Sequence, residues 1–352
     1  MNINGPDLLL VDIHASLLKM VLLGVAGFAL SMLLTPLYTS LAYRWKLWKK
    51  PRTETLTGEP AKIFMQLHAE KHKRHIPTMA GVIFIVAVCV ITVAFNLIRA
   101  QTWLPVAAFA GAALVGLIDD IINIRGTGQG KAGLPSRLKL LLITLVAIVG
   151  GWFFYYKLGV HSMSIPGVAG GSLNIGWLII PVFVFVVVAT ANAVNISDGL
   201  DGLAGGLAAI AFATYALIAA LDARYAVAGF CLTVVGALLS YTWFNIFPAR
   251  FFMGDVGSFA LGTALGVVAM ITDTVLLLPI IGAVFVAEAG SVILQVASKK
   301  LRHGKKIFKV SPIHHHFEAS GWPETKVTMR FWVIGAVMAL FGLALYVLGK
   351  YA

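Results

Sequence analysis

The hydrophobic positions along this chain come in long blocks separated by polar connections. Ten runs approach the length of about 20 apolar residues that a helix needs to cross a bilayer. They lie near 17–42, 79–98, 103–118, 138–156, 177–194, 203–221, 226–244, 258–272, 275–297 and 328–349. The pattern predicts an all-α integral membrane protein, a single polytopic domain over 1–352 with about ten transmembrane helices. The first run is followed by "TSLAYRWKLWKK" with no small-residue cleavage site, so it reads as a retained helix rather than a cleavable signal. One connection departs from the pattern. In "KLGVHSMSIPGVAGGSLNIG" (157–176), Gly and Pro turn residues separate two short alternating stretches, which predicts a small β-hairpin.

Composition agrees with the blocks. Hydrophobic residues make up 59% and charged residues 12%, against roughly a quarter charged in a soluble domain. A net charge of +12 would suit nucleic acid, but its placement says otherwise. Of the 27 Lys and Arg, nine fall in the 43–77 connection, and Arg125, Lys131, Arg137 and Lys139 follow the third run. Arg250 precedes the eighth run, and eight more lie in 298–330. Only Lys19, Arg99, Lys157, Arg224 and Lys350 fall on the other side. Excess Lys and Arg mark the cytoplasmic face, so both termini are expected outside. Topology accounts for the charge, and no nucleic-acid partner is expected. Cys89 and Cys231 each sit inside an apolar run, with no disulfide or zinc pattern between them.

The same sorting puts the connections 43–77, 119–137, 195–202, 245–257 and 298–327 on one face, and with them nearly every polar cluster. In "LVGLIDDIINI", Asp119 and Asp120 follow directly on an apolar run. Carboxylates at a membrane edge are costly unless they meet a cation, and magnesium prefers one or two carboxylates plus phosphates and water. A solvated helix end is the plainer account of such a pair in isolation. In "ATANAVNISDGLDGLAGG", residues Asn192, Asn195, Asp198 and Asp201 recur at threes, and i and i+3 share a helix face. Helix capping explains one Asp here, not two Asn and two Asp in register. In "FMGDVGS", Asp255 lies between Gly254 and Gly257 just before the eighth run, where a helix N-terminus favours phosphate. With Lys139 and the basic "HKRHIPTMAG" (72–81) beside them, the clusters predict a magnesium-dependent site for phosphorylated substrates. An ion-coupled transporter is the competing class. Its sites tend to lie near the midplane, whereas these carboxylates gather at one edge.

Four ordered motifs, "GLIDDI", "NAVNISDGLDGLAGG", "FMGDVGS" and "PIHHHFEASGWPETKVTMRFW", resemble the polyprenyl-phosphate N-acetylhexosamine-1-phosphate transferases. Within them, "PTMAG" and the HHH loop look like the phospho-N-acetylmuramoyl-pentapeptide translocase (MraY) branch. The likeness runs from about residue 70 to the end. It implies ten helices with both termini outside, in the bacterial inner membrane with the active site facing the cytoplasm, and a homodimer. It further implies transfer of phospho-N-acetylmuramoyl-pentapeptide from UDP-MurNAc-pentapeptide to undecaprenyl phosphate with Mg²⁺, giving lipid I and UMP. A sister enzyme using UDP-GlcNAc is the alternative. By the resemblance, Asp255 is the principal magnesium ligand, Asp120 and Asp119 serve metal and lipid phosphate, and Asp119 is the usual candidate for a base. Asn195, Asp198 and Asp201 line the nucleotide end, Phe252 offers its ring to uracil, and Asn245 sits nearby. Lys73, Thr78, Gln295 and His315 fall where the family contacts nucleotide or nucleoside-type inhibitors. Two departures stand out: Ala80 where the family often has Gly, and Ile121, Ile122 and Asn123 where it often has a Lys. Lys131 or Lys139 would have to supply that charge. Glu288, inside the ninth run, reads as a residue paired within the bundle.

His314, His315 and His316 cannot all converge on one metal, because neighbours on a helix point about 100° apart and on a strand alternate. Ring N–H donors suit recognition of an anionic or sugar-bearing substrate. His315 is expected to touch substrate, with His314 and His316 either joining it or holding the loop.

Overall fold

The computed structural model describes residues 6–48, 75–126, 133–165 and 171–351. In chain order the helices are α1 (Pro6–Arg44), α2 (Gly81–Phe95), α3 (Trp103–Arg125), α4 (Ser136–Tyr156), α5 (Ile179–Ser197) and α6 (Leu203–Leu221). They continue as α7 (Tyr225–Asn245), α8 (Asp255–Ile271), the single turn α9 (Leu278–Ile281), α10 (Ala283–Leu301), α11 (Ile313–Glu318) and α12 (Glu324–Tyr351). Helix dominates because hydrocarbon offers no partner to an open backbone amide or carbonyl. The strand pair β1 (Ser162–Ser164) and β2 (Ser172–Asn174) is antiparallel, with Met163 opposite Leu173. It is the predicted hairpin.

All ten apolar runs are helical, but they are not ten equal spans. Among the described residues, seven helices are long and apolar enough to cross a membrane: α1, α3, α4, α5 with the turn before it, α6, α7 and α12. The ninth run breaks where "LLPIIGA" places Pro279 and Gly282, and its two halves meet at 83°. Counted as one span, it makes an eighth. α2 and α8 have 15 and 17 residues, about 22 and 26 Å at 1.5 Å per residue. α8 can be short because it does not meet lipid. Every residue from Val256 to Ile271 is buried among the other helices. Outward-facing Leu33, Phe185, Trp243 and Val333 are exposed, and so broad an apolar surface suits lipid rather than water. The chain is an all-α multi-pass membrane protein.

Helix ends gather at two poles. At one, Asn96 after α2 donates to the Ala226 carbonyl in α7 at 2.8 Å. Nearby at the same pole, the Ser164 amide of the hairpin donates to Asp273 after α8 at 2.9 Å, and Lys350 of α12 pairs with Asp222 after α6 at 2.6 Å. The opposite pole collects the C-terminal ends of α3, α5 and α7 and the N-terminal ends of α4, α6, α8 and α12.

Candidate active site

Three helices build an acidic centre at that second pole. α3 passes the start of α8 so closely that a Cβ on Gly116 would lie 2.2 Å from the Asp255 carbonyl oxygen. Only glycine permits this approach, and it carries Asp119 and Asp120, within the next turn of α3, to the N-terminus of α8. Asp255 is the first residue of α8, where the helix dipole and free amides favour a carboxylate. The preceding Gly254 has φ +78°, and a Cβ there would lie 2.4 Å from Asp120 Oδ2. Sterics and backbone conformation both demand glycine there. The Val256 amide donates to that same Oδ2 at 3.0 Å.

Carboxylate oxygens of Asp119, Asp120 and Asp255 lie within 4.8 Å of one another. Lys139, in the first turn of α4, sets its ammonium between two of them, 2.7 Å from Asp119 Oδ2 and 2.8 Å from Asp255 Oδ2. Asp119 Oδ1 accepts the Leu134 amide at 2.5 Å, which ties the turn before α4 to the same carboxylate. Asn195 Nδ2 reaches Asp255 Oδ1 at 3.3 Å and Ser258 Oγ at 2.8 Å. The three carboxylates bring hard oxygen donors together, the donor set a small divalent cation takes. The residues fit a magnesium site. Asp119 stands in the same cluster as Asp255 and Asp120, the two residues expected from sequence as ligands.

The structure adjusts several expectations. α3 runs on to Arg125, because "IINI" after the paired Asp is still good helical sequence, so Asp119 and Asp120 lie inside a helix rather than in a 119–137 loop. Lys139 likewise belongs to α4. α5 stops at Ser197, and Asp198 is its C-cap with φ −81° and ψ 54°, so the chain leaves the helix after it. Asn192 returns its amide to the Val188 carbonyl at 2.8 Å. Asn195 is hydrogen-bonded to the acidic centre.

Around the centre, residues expected near the nucleotide hold loops together. Asp201 accepts the Ala249 amide at 3.0 Å, while its own amide donates to Glu324 at 2.7 Å. Asn245 accepts from Gly202 at 3.0 Å and donates to the Phe251 carbonyl at 2.9 Å. The 77–81 and 252–253 backbones pair through Phe252 N–H to Pro77, Ala80 N–H to Phe252 and Gly81 N–H to Met253. That fixes Phe252, whose side chain is half-buried, and buries Thr78. Gln295 accepts from the Ile307 and Phe308 amides, both at 3.0 Å, and donates to the Phe308 carbonyl, clamping the loop after α10. Lys73 and Lys131 lie outside the described residues.

The histidine triplet forms half of α11, with the His314 and His315 rings in edge contact at 4.1 Å and each ring bonded to a different group. His314 bonds Glu288 of α10 at 2.8 Å, both buried, so Glu288 is paired within the bundle as expected. The His314 ring also lies against Gly199, where a Cβ would come within 2.3 Å of Nε2. That contact seats α11 on the 195–202 loop. His315 bonds Glu318 at 2.7 Å. His316 accepts the Lys309 amide at 3.2 Å. Burial, then the neighbouring His314, push the His315 ring down to about 4, against the pull of Glu318. Sequence reasoning passed over Ser258, Glu318 and Glu324 as site-building groups. Ser258 and Glu318 stand inside quoted motifs, three residues after Asp255 and His315, which is the only signal they carried.

A profile of the family described as Glycosyl transferase family 4 matches residues 102–273, a span that holds the whole acidic centre and stops short of the histidines. A phospho-N-acetylmuramoyl-pentapeptide-transferase from Geobacillus thermodenitrificans (strain NG80-2) is 38% identical over 323 residues, covering 90% of this chain and 94% of the relative. Relatives of the same description from Clostridium novyi (strain NT) and Thermodesulfovibrio yellowstonii (strain ATCC 51303 / DSM 11347 / YP87) are 39% and 40% identical over 321 and 290 residues. They cover 90% and 77% of this chain and 94% and 80% of their own lengths. At that identity over nearly the whole of each partner, the chain belongs to the phospho-N-acetylmuramoyl-pentapeptide-transferase family.

Proposed function

We propose that this chain transfers phospho-N-acetylmuramoyl-pentapeptide from UDP-MurNAc-pentapeptide to undecaprenyl phosphate, forming lipid I and UMP for peptidoglycan synthesis. The observation that carries the reading is the Asp119–Asp120–Asp255 centre with Lys139 and Asn195, placed at one pole of a membrane bundle. A reaction that joins a lipid phosphate to a nucleotide-bound sugar needs its charged chemistry at a membrane edge. The asymmetry of Lys and Arg puts that pole in the cytoplasm. The working topology is therefore ten crossings of the bacterial inner membrane with both termini outside, assembled as a homodimer.

Phosphoryl transfer asks the protein mainly for positioning and charge neutralisation. A lipid phosphate oxygen attacks the phosphorus attached to the sugar. The new P–O bond forms as the bond to the bridging oxygen breaks, and UMP leaves with that electron pair. With a second phosphate pKa of ~6, the attacking phosphate is already mostly a dianion at neutral pH, so direct attack needs no strong base. Asp119 then acts by position and charge. Asp119, Asp120 and Asp255 would hold Mg²⁺, which when bound neutralises the diphosphate. Asn195 and Asp198 would meet the nucleotide, the half-buried Phe252 ring would stack on uracil, and Lys73 and Thr78 would complete that side. His315, at the least buried end of the His314–His315 pair, would meet the donor.

The test is UMP release by detergent-solubilised protein given undecaprenyl phosphate and either UDP-MurNAc-pentapeptide or UDP-GlcNAc, with and without Mg²⁺. Magnesium-dependent release with the muramoyl donor alone is expected. Release with UDP-GlcNAc alone would move the chain to the sister specificity, and release with neither would remove the transferase reading.

A further inference from the structure

Lys139 bridges two of the three carboxylates that could hold a metal ion. Both Asp119 oxygens are engaged, Oδ1 by the Leu134 amide and Oδ2 by Lys139. Asp120 Oδ2 is taken by the Val256 amide, and Asp255 Oδ2 by Lys139 again. Backbone amides are fixed by their helices and turns. The Lys139 ammonium sits on a flexible four-carbon stem and can withdraw from this set. Its location is set by the carboxylates rather than by α4. Lys139 is the fourth residue of that helix, the end whose dipole disfavours a cation. Its side chain is 17% exposed, so a path outward exists.

We infer that Lys139 is an exchangeable internal counter-ion. It holds the three carboxylates together before metal arrives, is displaced from the Asp119–Asp255 bridge by a divalent cation, and is thereby released as a positive charge for the donor's diphosphate. This rests on reading the centre as a metal site. The exchange solves a physical problem: three carboxylates with oxygens within 4.8 Å repel strongly when no cation is between them. It also couples events, since the ammonium becomes available to phosphate only when metal has taken its place.

The experiment measures Mn²⁺ affinity directly, by paramagnetic resonance of free Mn²⁺, on intact detergent-solubilised protein without substrate. Wild type is compared with Lys139→Met and Lys139→Arg. Removing the competing charge should tighten Mn²⁺ binding about tenfold or more in Lys139→Met. In the same variant, saturating Mn²⁺ should raise the Tm by more than it does in wild type. Lys139→Arg keeps the charge and should bind no more tightly than wild type. Equal or weaker binding in Lys139→Met than in wild type would overturn the exchange while leaving the metal site standing. Failure of every form to bind Mn²⁺ would overturn the metal reading itself. Should Lys139→Met not fold without metal, purification in Mn²⁺ followed by chelation supplies the comparison: unfolding on chelation is the expected result, and retention of fold with wild-type affinity is the contrary one.

Discussion

Two clusters of titratable groups stand at the same pole of this bundle, and they are built on opposite plans. In the acidic centre, the Lys139 ammonium bridges Asp119 and Asp255 beside Asp120, and the Asp255 and Lys139 side chains keep 16% and 17% of their surface open. In the histidine helix, each ring has a private partner: Glu288 for His314, Glu318 for His315 and the Lys309 amide for His316. One cluster concentrates charge that a ligand can rearrange. The other spends one nitrogen of each ring on holding the loop and offers shape, with His315 held neutral. The division suits a reaction in which charge neutralisation makes the rate while neutral donors choose the substrate.

The comparison breaks most severely if the acidic centre loses its geometry. Gly254→Ala puts a methyl into a φ of +78° and within 2.4 Å of Asp120 Oδ2. We expect UMP release to fall at least about 10²-fold, as when a catalytic positioning element moves by about 1 Å. Wild-type turnover in this variant would mean that the Asp120–Asp255 spacing does not matter.

A smaller effect is expected at the histidine helix, and it should appear in stability. Glu288→Ala leaves a buried imidazole without its partner, which costs about 1–3 kcal/mol. Thermal unfolding should shift to lower temperature, with Mn²⁺ affinity unchanged. Altered Mn²⁺ affinity would show that the two clusters are electrostatically one.

The smallest effect follows from His315. Its folded-state value, about 4, lies below the ordinary 6.5, so between those values the unfolded chain binds the extra proton. Stability from the buried neutral ring is complete above pH 6.5 and is lost as pH falls toward 4. Across that window the Tm of His315→Gln should decline less steeply than that of wild type, and parallel declines would contradict the burial.

Much of this was legible in the sequence, and the illegible part has physical causes. Apolar blocks gave the helices and the hairpin because a bilayer imposes length and internal hydrogen bonding on every span. They could not show that α8 is fully buried and therefore short, because a run apolar on all sides looks the same whether protein or lipid surrounds it. The carboxylates were legible as types. Their convergence depends on Gly116, one small residue in an apolar run of small residues, and nothing local distinguishes it from Gly111. The three-residue rhythm of Asn192, Asn195, Asp198 and Asp201 outruns α5, which ends at Ser197. Gln295, Asn245 and Asp201 also hold loops in the structure, a role the sequence does not display because an amide or carboxylate serves backbone and ligand with the same atoms.

The most direct test of the division between chemistry and recognition is steady-state UMP release by Asp255→Asn and His315→Asn at saturating undecaprenyl phosphate, with the muramoyl donor varied. Asp255→Asn should lower kcat about 10²–10³-fold, with a modest change in KM. His315→Asn should raise the donor KM about tenfold and leave kcat within a few-fold of wild type. Loss of kcat in His315→Asn with KM unchanged would place the histidine in the chemistry and contradict the account.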